Sequence, residues 1–292
     1  MSGGARSRPA ARDAAIHVGI GGWTYPPWRG SFYPKGLAHE RELEFASRAV
    51  TAIEINATYH RLQPPGSFAK WAASVPAGFV FAVKASRICT NRKNLAEVGE
   101  AVERFFAQGV TELGDKLGPI LWQLMPTKRF DPAEIRAFLA LLPKAYRGIA
   151  LRHALEVRHE SFRNSELLAM ARTAGVAVVF GDSPEYPHVA DCTADFVYAR
   201  LRNAREEEPA GYSAKELEAC LAAAREWAAG RNPPGLPYVD STPQPASQPR
   251  EVFLFFIDGA KVRAPAAAQA LLALLESPAR DVRRTGVRRS AA

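Results

Sequence analysis

Residues 153–182, HALEVRHESFRNSELLAMARTAGVAVVFGD, contain one complete structural unit, and the rest of the chain follows from it. An apolar run of strand length (153–159) is followed by NSELLAMARTAG, whose apolar residues recur at helical spacing, and then by a second strand-like run (176–182). Gly175 stands where a helix would stop. Strand, helix and strand in this order make a parallel βαβ unit.

The alternation continues outward. Further strand-like runs lie at 16–22, 52–58, 79–86, 119–124, 196–202 and 252–258. Between them are the amphipathic stretches ERELEFASRAV, PGSFAKWAASV, LAEVGEAVERFFAQGVTEL, PAEIRAFLALL and SAKELEACLAAAREWAA, and PAAAQALLALLE follows the last strand. Asp131-Pro132 reads as an N-cap with its first helical residue, and Ser213 with Glu216 as a capping box. Eight alternating units predict an α/β chain folded as a single (β/α)8 TIM-like barrel, with an open doubly wound sheet as the alternative.

The predicted barrel domain spans 15–279 and includes a Pro- and Ser-rich loop insertion, NPPGLPYVDSTPQPASQP (232–249). Basic tails at 1–14 and 280–292 are expected to be disordered. Those tails carry most of the net charge of +8: residues 1–12 hold +3, residues 280–292 hold +4, and the body is left at +1. Nucleic acid is therefore a possible partner through the basic tails, with the aromatic first loop as a further contact. No apolar run reaches the length of a membrane span, and the N-terminus lacks an apolar secretion segment, so a cytoplasmic location without membrane contact is expected. Three cysteines without CxxC spacing argue against a disulfide framework or a thiolate zinc site.

A strand buried on both faces should be nearly all apolar. Here polar residues gather toward the C-terminal ends, where sites of this barrel form. They are Glu54 and Asn56, two apart; Lys84; Gln123; Glu156 and Arg158, sharing a face, with His159 after them; Asp182; Arg200 and Arg202, in phase; and Asp258. A filling ion network is the plainer reading of these residues and a ligand site the sharper one. The first loop, GGWTYPPWRGSFYPKG, offers Trp23 and Tyr25 as a platform for a ring, or as caps on the barrel mouth. Gly19, Gly21 and Gly22 do not match a phosphate loop, and HExxH, GxSxG and SxxK are absent. His153 and His159, about 20 Å apart along an extended strand, cannot share a metal. A mixed site from Glu54, Glu156, His159, Asp182 and Asp258 is conceivable, so a divalent metal stays open but is not favoured, and no cofactor is predicted.

Taken together, VGIGGWTYPPWRGSFYP, IEINATYHRL with PPGSFAKWAASVPAGFVFAVKAS, LGPILWQLMP, ALEVRHESF, DFVYARLR and FFIDGAKVRAPAAAQALLALL make the chain resemble the YecE-like family, domain of unknown function 72. The resemblance implies a (β/α)8-like barrel and no particular reaction. The likeness of the family's barrel to metal-dependent apurinic endonucleases and xylose-isomerase-like enzymes suggests nucleic-acid work by analogy alone. Three places depart from the family pattern: Thr90-Asn91 replaces Thr-His, Arg202-Asn203 replaces His-Gly, and Ile257-Asp258-Gly259 with Ala266-Ala267 replaces an Asn-rich turn and an Asn-Ala pair. Two candidate histidines are lost, which makes a metal harder to hold.

The expected function is an enzyme, of hydrolase or isomerase/lyase type, or a ligand binder, acting on a small or nucleotide-like anionic substrate at the C-terminal barrel face. Glu54, Glu156 and His159 are the expected acid–base groups; Trp23, Tyr25, Asn56, Lys84, Gln123, Arg158, Asp182 and Arg200 are the expected substrate contacts. A nucleic-acid-binding or repair-associated protein and a catalytically idle scaffold are the alternatives.

Overall fold

Strands apolar on both faces need cover on both, and a closed barrel wrapped in helices supplies it. The computed structural model describes residues 15–240 and 248–277. The strands are β1 (Ile16–Gly21), β2 (Ala52–Ile55), β3 (Val80–Lys84), β4 (Leu117–Gln123), β5 (Ala145–Tyr146), β6 (Ile149–Ala150), β7 (His153–Glu156), β8 (Val176–Val178), β9 (Phe180–Gly181), β10 (Phe196–Leu201) and β11 (Glu251–Phe256). Nine of them form one parallel sheet in the order β8-β7-β4-β3-β2-β1-β11-β10-β9. The two edge strands are halves of one segment interrupted at Val179. One half pairs with β7 and the other with β10, so the sheet closes into an eight-membered barrel. β5 and β6 form a small antiparallel hairpin ahead of β7.

The helices are α1 (Glu42–Ala49), α2 (Ala57–His60), α3 (Ser67–Ala73), α4 (Arg87–Thr90), α5 (Gly99–Ala107), α6 (Pro132–Ala140), α7 (Ser165–Ala174), α8 (Ala214–Ala228) and α9 (Ala264–Glu276). Their ends follow local chemistry. The Asp131 carboxylate accepts from Glu134 N ahead of Pro132, Ser213 and Glu216 complete a capping box, and Gly175 ends α7 at φ 67°. The stretch 95–113 is broken, however: α5 stops before Gly109, which adopts φ 107° and starts a 3-10 turn. Among the described residues no helix is long and apolar enough to cross a membrane. Of the Pro-rich loop, residues 241–247 lie outside the described residues, as do 1–14 and 278–292. The described part is anchored where Val239 N and Asp240 N donate to the Asp191 carboxylate (2.8 and 3.1 Å).

Two apolar clusters flank the barrel wall, one between strands and helices and one inside the barrel. Inside, the small residues Ala52, Ala82, Ala154 and Ala177 face the large Tyr198, Phe253 and Phe255, all at most 2% exposed. β1 approaches so closely that a Cβ on Gly19 would lie 2.1 Å from Ala52 O, and one on Gly21 3.0 Å from Ile257 Cδ1. These glycines are therefore packing positions in the barrel wall.

Two strands end three residues earlier than the sequence predicts. β2 stops at Ile55 because Thr58 Oγ1 donates to Ile55 O (3.2 Å) and Lys84 O (2.6 Å), turning the chain into α2. Asn56 is thus off the strand, and its Nδ2 donates to Glu54 O (3.3 Å). β7 stops at Glu156, and His159 caps the 3-10 turn Glu160–Phe162, its ring nitrogen accepting from Ser161 N (3.1 Å).

Candidate functional site

The apolar layer inside the barrel is topped by a polar one. Period-2 alternation continues from Ala52 to Glu54, Ala82 to Lys84, Leu121 to Gln123, Ala154 to Glu156 and Tyr198 to Arg200. All five upper residues are at most 8% exposed, and Glu54, Gln123 and Glu156 close on Arg200. Its Nε and Nη2 donate to Glu54 Oε2 and Oε1 (both 2.9 Å), a two-pronged pair, and its Nη1 donates to Glu156 Oε2 (2.5 Å) and Gln123 Oε1 (3.1 Å). Tyr198 Oη donates to Glu54 Oε2 (2.7 Å). Arg158 donates to Glu156 Oε1 (3.1 Å) and Gln123 Oε1 (2.8 Å), and Arg202 donates to Glu156 Oε1 (3.0 Å) and to Asp258 Oδ2 (2.7 Å). Tyr186 lies under two of these cations, 4.5 Å from the Arg158 guanidinium carbon and 5.8 Å from that of Arg202.

Four cations, Lys84, Arg158, Arg200 and Arg202, thus surround two enclosed carboxylates, Glu54 and Glu156; a third, Asp258, sits at the rim with its side chain 54% exposed. Lys84 differs from the arginines. Its Nζ has no hydrogen-bond or ion-pair partner among the described residues and rests 4.0 Å from the centre of the Tyr59 ring. Arg202 Nε is also buried without a partner. Cationic donors left over in an enclosed, positively biased layer suit an oxyanion.

The same neighbours set the protonation states. Burial pushes the Glu156 carboxyl up, but Arg200, Arg202, Arg158 and Lys84 outweigh it and bring it down to about 2. Glu54 is likewise held below the usual carboxylate range, the attraction of Arg200 and Lys84 exceeding the effect of burial. Burial, with Arg200 adding repulsion, draws the Lys84 ammonium down to about 7.

These positions change several expected roles. Glu54 and Glu156 each accept three hydrogen bonds from fixed donors and stay ionised, so they hold arginines in place and are poor proton donors at neutral pH. His159 is engaged with Ser161 (2.8 Å) in the following turn. Asp182 follows the strand break and lies on the helix-facing side of the wall. It accepts from Arg202 N and from Tyr212 Oη (3.1 Å), and lines a cavity of about 230 Å³ shared with Cys220 and Trp227. Trp23 packs edge-on against Trp71 (5.2 Å), and Tyr25 against Trp28 (5.2 Å) under Lys261 Nζ (4.8 Å). Both rings belong to the apolar layer of the first loop, where Trp28 is fully buried and donates to Lys261 O (3.1 Å). Among the described residues no three of His, Cys, Asp and Glu converge as a metal-ligand set. Arg202, in phase with Arg200, joins the cluster as an ion-pair partner of Glu156, and Tyr198, which the sequence reading does not single out, joins it below Arg200, where alternation along FVYARLR marks it. Tyr59 and Tyr186 stand on a short helix and a loop, where no period points to them.

Comparison with known proteins gives the fold company. A Thermotoga maritima protein described as belonging to the DUF72 family superposes with a TM-score of 0.67 at 22% identity, covering 90% of this chain and all of that one. A DUF72 protein of Enterococcus faecalis does so with 0.64 at 15% identity, covering 91% and 99%. The UPF0759 protein YunF of Bacillus subtilis is 27% identical over 116 residues, a match spanning 38% of this chain and 40% of its own length. The model of the family described as protein of unknown function DUF72 matches residues 17–291, and the chain belongs to that family.

Proposed function

We propose that the barrel mouth binds a small organic anion, carboxylate or phosphate, and acts on it as an enzyme. The observation that carries this reading is the four-to-two ratio of cations to enclosed carboxylates at the C-terminal strand ends, with Lys84 lacking an acceptor among the described residues. In this reading Arg158 and Arg202 bind the anion on a framework fixed by Arg200, Glu54 and Glu156. Lys84, which loses its proton near neutral pH, is the group able to exchange protons with a substrate. The nucleic-acid alternative rests on tails outside the described residues and on the aromatic first loop, whose Trp23 and Tyr25 rings pack against Trp71 and Trp28.

The test is calorimetric titration with inorganic phosphate and with pyruvate, paired with thermal melts. Saturable binding is expected, together with stabilisation of roughly 2.7 kcal/mol at one hundred times the dissociation constant. Arg158→Met should weaken it at least tenfold while the fold melts cooperatively. Absence of binding by either anion at 10 mM, a concentration at which even weak sites begin to fill, on the order of a 1 mM dissociation constant, would overturn the reading.

A further inference from the structure

Lys84 has the geometry of a nucleophile as well as that of a proton carrier. It is the last residue of β3, fixed from below by the bond from Thr58 Oγ1 to its own carbonyl (2.6 Å) and from one side by the Tyr59 ring. Tyr59 is itself tied to Asn91 (3.3 Å). The charged groups around the amine are Glu54, Glu156, Arg158 and Arg200. Both carboxylates are already taken up by arginines, so neither pairs with the amine. A lysine buried among arginines, with no acceptor among the described residues, meets two requirements of imine-forming lysines, being desolvated and next to other cations, and it keeps 8% of its surface exposed.

Resting on the anion site proposed above, we infer that the substrate is an anionic carbonyl compound, such as an oxo acid or a phosphorylated aldehyde or ketone, and that Lys84 forms an imine with its carbonyl carbon. The neutral Nζ adds to that carbon; a C–N bond forms and the C=O π pair moves to oxygen, which takes up the proton released from nitrogen. The nitrogen lone pair of the resulting carbinolamine then forms C=N while the C–O bond breaks, and the oxygen departs as water with a second proton. Amine plus carbonyl gives imine plus water, with no change in oxidation state. The arginines would hold the anionic end of the same molecule, and the downward shift of the Lys84 ammonium supports a reactive neutral fraction at physiological pH.

Pyridoxal 5′-phosphate, an aldehyde and a phosphate in one small molecule, serves as the probe. The full chain is incubated at pH 7 with one equivalent, reduced with borohydride, and analysed by intact mass and peptide mapping. Labelling of Lys84 at least tenfold above any other lysine is expected, with protection by inorganic phosphate and replacement by a pyruvate adduct when pyruvate and cyanoborohydride are used. Lys84→Met should abolish the label while retaining a cooperative melt, and Lys84→Arg provides a second variant should the first not fold. Label spread over surface lysines with Lys84 unmodified, while phosphate still binds by calorimetry, overturns the imine and leaves the anion site standing. Loss of both overturns both. Label on Lys84 that phosphate does not suppress overturns the anionic substrate class.

Discussion

The barrel carries an ionic cluster at each end, and the two are built to opposite purposes. At the N-terminal end, His17 Nε2 lies 3.1 Å from Glu251 Oε1, Arg152 pairs with the other oxygen of Glu251, and the Arg152 guanidinium lies 4.9 Å from the centre of the Phe253 ring. The Arg152 guanidinium there is paired with the Glu251 carboxylate, and the cluster closes the barrel floor. At the C-terminal end, four cations face two enclosed carboxylates, and Lys84 and Arg202 Nε keep hydrogen-bonding capacity free among the described residues. A cluster that only fills space should end matched, because an unmatched buried charge is costly. The floor meets that expectation and the mouth does not, as expected where stability is conceded to function.

The largest effect that would sharpen this contrast is on stability. Glu54→Gln leaves Arg200, 1% exposed, facing a neutral amide with one acceptor in place of two, and should cost about 3–5 kcal/mol. The melting temperature should fall by on the order of 10 °C. Glu251→Gln at the wetter floor should cost only about 2 kcal/mol. Equal costs in urea denaturation would break the contrast.

Acid is the next lever. Glu156 titrates at about 2 when folded and in the ordinary carboxylate range when unfolded, so its contribution is complete above the unfolded value. About 3 kcal/mol should then be lost as pH falls from 5 toward 2. Glu251, also brought down to about 2, adds to the same window. Glu251→Gln should therefore remove part of the acid slope in urea melts and leave the Glu156 part. An unchanged slope would show that the floor is not matched as described.

Lys84 should behave in the opposite sense. Its folded value of about 7 lies below the unfolded one, so the unfolded chain binds more protons between about pH 7 and 10, and stability should rise with pH across that window. Lys84→Met removes a desolvated cation and should stabilise the protein by about 1–2 kcal/mol at pH 7, flatten that rise, and weaken anion binding. Destabilisation would mean that the amine has a partner in the fold.

The smallest effect concerns Tyr186. Removing the ring under Arg158 by Tyr186→Leu should weaken anion affinity by about 0.5–1 kcal/mol and leave the melting temperature nearly unchanged.

How much of this was legible in the sequence differs between wall and mouth. The wall follows from period and punctuation: Asp131-Pro132, Ser213 with Glu216, and Gly175 all act as their residue types dictate. The five buried polar residues of the upper layer were legible because alternation continues through them. Asp182 was misplaced because a break at Val179 changes the phase of that strand, which composition does not reveal. Asn56 and His159 were misplaced because Thr58 and Ser161 end the strands with side-chain bonds made locally, so the residues beyond leave the strand face. Trp23 and Tyr25 suit a ring platform and a loop core equally well until the neighbours Trp71 and Trp28 are in place.

The central claim, an unmatched amine in an anion-binding mouth, is tested most directly by NMR titration of protein carrying 13C at lysine Cε, with the Lys84 resonance assigned from Lys84→Met. This one lysine should titrate near pH 7, well below the ordinary lysine value, and phosphate should move its titration upward by stabilising the ammonium. Titration in the ordinary lysine range, unmoved by phosphate, would contradict it.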